Sequence, residues 1–137
     1  MRPCYSCQTL AFMLFLLLFP ACRSDPHSAR GVAERFLDAH YVEINLQAAK
    51  PYCAGLALSR LEDEIRLTEG QAVDESTRKP QVHYRLSEEK PRGEKGVSFV
   101  YETRISVAGA GDFTKKVLLT MRQDEQGWRV VNYSEFD

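Results

Sequence analysis

Two hydrophobic periods divide this chain. Ala33, Phe36, Leu37, His40, Tyr41 and Ile44 recur at i, i+3, i+4, i+7 spacing, while Glu34, Arg35, Asp38 and Glu43 fall mostly elsewhere. The spacing predicts an amphipathic helix over 28–44. Its start is either Asp25 as cap with Pro26 in the first turn, or Ser28 as a later cap. Asn45 is placed to cap a brief second helix through Lys50, which Pro51 and Gly55 interrupt. A third helix should run to Gly70 with Leu58, Leu61, Ile65 and Thr68 inward and Glu62 paired with Arg66. Ser59-Arg60-Leu61-Glu62 matches a capping box and reads as helix punctuation, not as a nucleophilic serine. Glu62-Asp63-Glu64 reads as a solvated face, since consecutive helical residues point in different directions and cannot converge on one cation.

After Gly70 and a polar connection the period falls to two. Val82, Tyr84 and Leu86 alternate with polar residues, as do Val97, Phe99, Tyr101, Thr103, Ile105 and Val107, then Phe113, Val117, Leu119 and Met121. Trp128 to Tyr133 forms a fourth strand, and the Gly-containing links 91–96, 109–112 and 124–127 suit antiparallel hairpins. The order predicts an α+β fold, N-terminal helices packed on a curved four-stranded antiparallel sheet.

Charge removes one class of function. With 18 Lys+Arg against 19 Asp+Glu in 137 residues, no basic field exists to gather nucleic acid. The N-terminus adds an address. Arg2 is followed by an unbroken apolar run from Leu10 to Pro20, the layout of a secretory signal over residues 1–21. As a helix the run would reach about 18 Å, short of the roughly 30 Å hydrocarbon core. Leu18-Phe19-Pro20-Ala21-Cys22 resembles the lipobox of bacterial lipoproteins, which implies lipidation of Cys22 and a short tether over 22–27. Arg23 then favours the periplasmic face of the outer membrane by the same resemblance. Two alternatives stay open: cleavage after Ser24, giving a soluble secreted protein, or cleavage before an unlipidated Cys22 that pairs with Cys53. An unpaired Cys53 is read as a core residue.

Ala33-Glu34-Arg35-Phe36-Leu37-Asp38-Ala39-His40-Tyr41, the two helices after it, and the closing Gly127-Trp128-Arg129-Val130-Val131-Asn132-Tyr133 together resemble the nuclear transport factor 2-like superfamily over residues 28–137. The resemblance implies a cone whose sheet wraps the first helix. Its enzymes place an Asp, or an Asp with a His, and a Tyr inside that cone. The residues falling on inward faces here are His40, Tyr84, Tyr101, Lys115 near a strand end and, if Trp128 and Val130 point inward, Asn132. His40, Tyr84, Tyr101 and Asn132 are the pocket-lining candidates, and His40 is the one catalytic candidate. Asp38, Glu102 and Glu135 fall on faces expected to be wet, which leaves no inward general base. No metal-ligand spacing, phosphate loop or nucleophile elbow is present, and no cofactor is expected.

The leading expectation is a lipid-anchored, non-enzymatic domain of the cell envelope that binds a protein partner or a small apolar ligand. The rivals are a proton-transfer enzyme of isomerase or dehydratase type using His40 and an interior Tyr, and a structural homodimer formed through the outer sheet face. That face carries Arg85, Glu102, Arg104, Lys116 and Arg122 beside Val100 and Leu118.

Overall fold

The computed structural model describes residues 24–71 and 79–137. The signal, the lipobox and Cys22 lie outside them. Helix α1 (Ala29–Leu37) starts at Ser28, whose Oγ accepts from the Gly31 amide at 3.0 Å, so the later of the two expected caps is used. Asp25 instead closes the turn before it, its carbonyl accepting from the Ser28 amide at 3.0 Å. The expected helix over 28–44 is not α-helical throughout. From Asp38 to Val42 it widens to a π turn, with the Glu43 amide donating to the Asp38 carbonyl, five residues back, at 2.8 Å. The turn ends at Ile44, whose φ of 54° is the left-handed region.

Asn45 caps α2 (Leu46–Ala49), its Oδ1 accepting from the Ala48 amide, and a 3₁₀ turn over Lys50–Tyr52 leads to α3 (Gly55–Thr68). The N-cap of α3 is Ala54, so Ser59 lies inside the helix and donates back to the Gly55 carbonyl at 3.4 Å. The expected capping box is therefore not formed. Nor do Glu62 and Arg66 pair. Glu62 takes Lys50 at 3.2 Å and Arg66 takes Asp63 at 2.8 Å, because the α2 corner brings a lysine to Glu62. Thr68 is exposed rather than inward, its hydroxyl bonded to the Glu64 carbonyl at the helix end.

Strands β1 (Gln81–Pro91), β2 (Gly96–Val107), β3 (Gly111–Asp124) and β4 (Gly127–Phe136) form an antiparallel meander in that order. The α+β expectation holds, with the helices on one face of the sheet. The core joins Phe36 and Leu37 of α1 and Leu61 of α3 to Phe99, Tyr101, Val117, Leu119, Met121 and Val130, all at most 1% exposed. Each such side chain contributes about 1.5–3 kcal/mol by leaving water. A parallel bridge pairs Cys53 with Val130, and the Ala54 amide donates to the Val130 carbonyl at 2.9 Å, fixing the start of α3 to β4.

One irregularity decides which side chains enter the core side of β4. Thr120 pairs with Asn132 but Met121 pairs with Val130, so Val131 is an extra residue in the ladder. The bulge resets the alternation. Val130 stands opposite Met121 and Tyr133 opposite Leu119, so both face the helices, and Glu135 follows opposite Val117. Asn132, opposite Thr120, is turned to the outer face.

Candidate functional site

His40 lies inside the π turn, on the face where α1, α3 and β4 meet. Its Nε2 is 2.8 Å from Glu64 Oε2, and the Tyr133 hydroxyl donates to Glu64 Oε1 at 2.7 Å. One carboxylate thus joins the π turn, α3 and β4. Arg60, one turn before Glu64 on α3, places its guanidinium 5.3 Å from the Tyr133 ring centroid and donates to the Tyr133 carbonyl. Aromatic rings cover the imidazole: Tyr41 at 4.3 Å between centroids, Phe36 at 5.2 Å and Tyr133 at 5.3 Å. The His40 side chain is 10% exposed, that of Glu64 33%.

The protonation pattern follows from who can donate. The Tyr133 hydroxyl donates a hydrogen bond to one Glu64 oxygen, and an Nε2–H of His40 is placed to donate to the other. His40 Nδ1 is buried without a partner. Burial first, then the bond to Glu64, raises the Tyr133 pKa far above the ordinary phenol value. Burial also raises Tyr41, whose hydroxyl is buried without a bonded partner and faces the Glu135 carboxylate. Glu135 stands at the rim, with Lys115 3.5 Å away.

The expected site residues do not converge. His40 joins the Glu64 cluster. Tyr84 and Tyr101 form a separate pair, 5.6 Å apart edge to face, with the Tyr84 hydroxyl donating to Asp38 Oδ1 at 2.7 Å. Burial raises both of their pKa values, Tyr84 further through its bond to Asp38. The bulge turns Asn132 to the sheet face opposite that of Tyr133, where its Oδ1 is buried without a bonded partner, so, contrary to expectation, it does not line a pocket with His40. The expectation that no carboxylate faces inward is also overturned, and with it the reading of Glu64 as part of a solvated face. Glu64 was findable: 57, 61, 64 and 68 form one helical stripe, and Ala57 and Leu61 on it are buried. Cys53 is a buried free thiol whose pKa burial pushes up to about 12, far from a nucleophile's.

The main grooves of the described surface lie elsewhere. A groove of about 440 Å³ runs along Glu34, Arg35, Asp38 and Tyr84, and one of about 540 Å³ lies between the Ile44 corner and the C-terminal end of α3. A third, of about 480 Å³, passes Lys50, Cys53 and Arg129. None of these is lined by His40, Glu64 or Tyr133. Among the described residues no group of three His, Cys, Asp or Glu stands close enough to hold a metal ion, and no helix is long and apolar enough to cross a membrane.

The same architecture occurs in solved structures. A Thiobacillus denitrificans protein named for the association domain of calcium/calmodulin-dependent protein kinase type II superposes with a TM-score of 0.60 at 14% identity, over 79% of this chain and 93% of that one. A ketosteroid isomerase-like protein of Erwinia carotovora atroseptica gives 0.55 at 14% identity, over 78% and 91%. No protein-family model and no curated protein matches the chain. What is shared is the α+β architecture, helices packed on a four-stranded antiparallel sheet. At 14% identity the likeness carries fold and no activity.

Proposed function

We propose that this protein is a lipid-anchored, non-enzymatic binding domain of the cell envelope that engages a protein partner with its exterior. The observation that carries this reading is the close packing of the interior, where Phe36, Phe99, Tyr101 and Leu119 are at most 1% exposed and none of the main grooves of the described surface is lined by His40, Glu64 or Tyr133. Glu64, the His40 Nε2 and the Tyr133 hydroxyl bond to one another under aromatic rings, while His40 Nδ1 and the hydroxyls of Tyr41, Tyr101 and Thr103 are enclosed without partners. Tyr101 and Phe99 are buried beneath the sheet. A small apolar ligand inside the cone would have to displace this packing, so a partner on the surface is the better fit. The apolar run ending at Ala21-Cys22 supports the anchor.

The test is site-specific photo-crosslinking in the native cell, with the photoreactive residue at Gln47 or Arg104, combined with intact mass of the membrane-extracted protein. One recurrent protein adduct, on a chain that starts at a lipid-modified Cys22, supports the reading. Absence of any adduct from both positions and from a third at Gln126 would overturn it.

A second reading rests on one atom. His40 Nδ1 is buried, unpartnered and held by a carboxylate on the far side of its ring, the arrangement of an oriented general base. Proton-transfer chemistry would require a substrate to reach it beside Tyr41. Loss of turnover in His40→Ala, on any substrate found, would favour this second reading over the first.

A further inference from the structure

Resting on the proposed binding role, we infer that the groove between the Ile44 corner and the end of α3 is the docking site for a partner segment bearing apolar side chains beside Lys or Arg. The first observation is Ile44. The chain leaves the π turn by a helix-ending motif, with the Asn45 amide donating to the Ala39 carbonyl at 2.8 Å, and this requires a left-handed residue at 44. Glycine or asparagine fills such a position without strain, whereas a β-branched residue there is a genuine outlier. The fold gains little from the isoleucine, since its side chain is 41% exposed and outside the core. A strained residue presenting an apolar group to solvent is explained by something that comes to meet it.

The second observation is what surrounds it. Leu46 and Ile65 supply half-buried apolar walls, and the groove, at about 540 Å³, is large enough for several side chains. Among the described residues its charged lining groups are Glu43 and Glu69, neither of which makes an ion pair with another described residue. Other acidic groups nearby are already matched, Glu62 by Lys50 and Asp63 by Arg66. An apolar floor with two unmatched carboxylates selects an occupant that brings both a hydrophobic anchor and positive charge. The same charges disfavour an anionic membrane surface.

The experiment measures fluorescence anisotropy of the purified domain with a short fluorescein-labelled peptide of leucines flanked by lysines. The controls are peptides with the leucines changed to serine, or the lysines to glutamate. Binding of the first peptide alone is expected, weakened by about tenfold in Ile44→Gly and by roughly threefold in each of Glu43→Lys and Glu69→Lys. Ile44→Gly removes backbone strain, so its melting temperature should rise while binding falls, and loss of binding cannot then be ascribed to unfolding. Equal binding of the glutamate peptide, unchanged affinity in Ile44→Gly, or no binding at all would overturn the inference. So would a dimer seen by sedimentation that Ile44→Gly abolishes, since a second copy would then be the occupant. If crosslinks form from Arg104 or Gln126 but never from Gln47, the groove is wrong while the binding role stands. If no position crosslinks, the binding role itself fails.

Discussion

Replacing Glu64 by alanine removes the acceptor shared by His40 and Tyr133 and leaves two buried donors without partners. Tyr133 is 3% exposed and the His40 side chain 10%. The two bonds are 2.8 and 2.7 Å long and both end on a carboxylate. Hydrogen bonds to charged groups contribute about 1.5–3 kcal/mol each. Because Glu64 is one-third exposed, water can replace part of what is lost, which places the expected destabilisation at about 2–4 kcal/mol. In a domain near 110 residues this is a fall in Tm of roughly 10–25 °C. Glu64→Gln should cost less, about 1–2 kcal/mol, since its carbonyl still accepts from Tyr133. Its amide, however, donates toward His40 and forces the imidazole proton from Nε2 onto the partnerless Nδ1. Calorimetric melts give the stability, and long-range ¹⁵N correlation of the imidazole gives the tautomer, Nε2–H in the native protein and Nδ1–H in Glu64→Gln. A loss under about 0.5 kcal/mol in Glu64→Ala, the range of an ordinary surface change, would refute the picture of a carboxylate joining three elements.

Three further outcomes follow from particular contacts. A Cβ on Gly31 would stand 1.9 Å from the Asp25 carbonyl oxygen, so Gly31→Ala should lower stability by about 1–3 kcal/mol, measured by urea unfolding. Burial holds the Cys53 thiol protonated to about pH 12 against an ordinary value of 9, so its contribution is complete below pH 9 and is lost as pH rises toward 12. Stability should fall there by up to ~1.4 kcal/mol per pH unit from this group, and Cys53→Ala should flatten that limb in pH-dependent melts. Intact mass of the native membrane fraction should show a chain beginning at a lipid-modified Cys22, with the lipid mass lost in Cys22→Ser.

The sequence carried the architecture because each element has its own period and punctuation. Ser28 and Asn45 cap as their chemistry dictates, and the alternation of Phe99, Tyr101 and Leu119 specifies the buried side of the sheet. The site was harder to read, since it depends on two departures from regular periods. The π turn carries His40 and ends in an isoleucine where glycine would be expected, and the bulge at Val131 puts Val130 and Tyr133 on one side. The second left a trace in the sequence, because two valines interrupt the alternation of Trp128, Val130 and Tyr133. Glu64 was hidden by its acidic neighbours Glu62 and Asp63, although its place on the stripe of Ala57 and Leu61 marks it as inward. What no local pattern shows is that a histidine of the first helix and a tyrosine of the last strand would meet on that one carboxylate.

The claim that this protein works through its exterior is tested most directly by methyl NMR of the folded domain during titration with the native partner, or with the leucine and lysine peptide in its place. The expected result is movement of the Ile44, Leu46 and Ile65 methyl signals while those of Val117, Leu119 and Leu61 stay fixed. Movement of the interior methyls, with the His40 ring signals, while Ile44 stays still would contradict it and place the working site inside the cone.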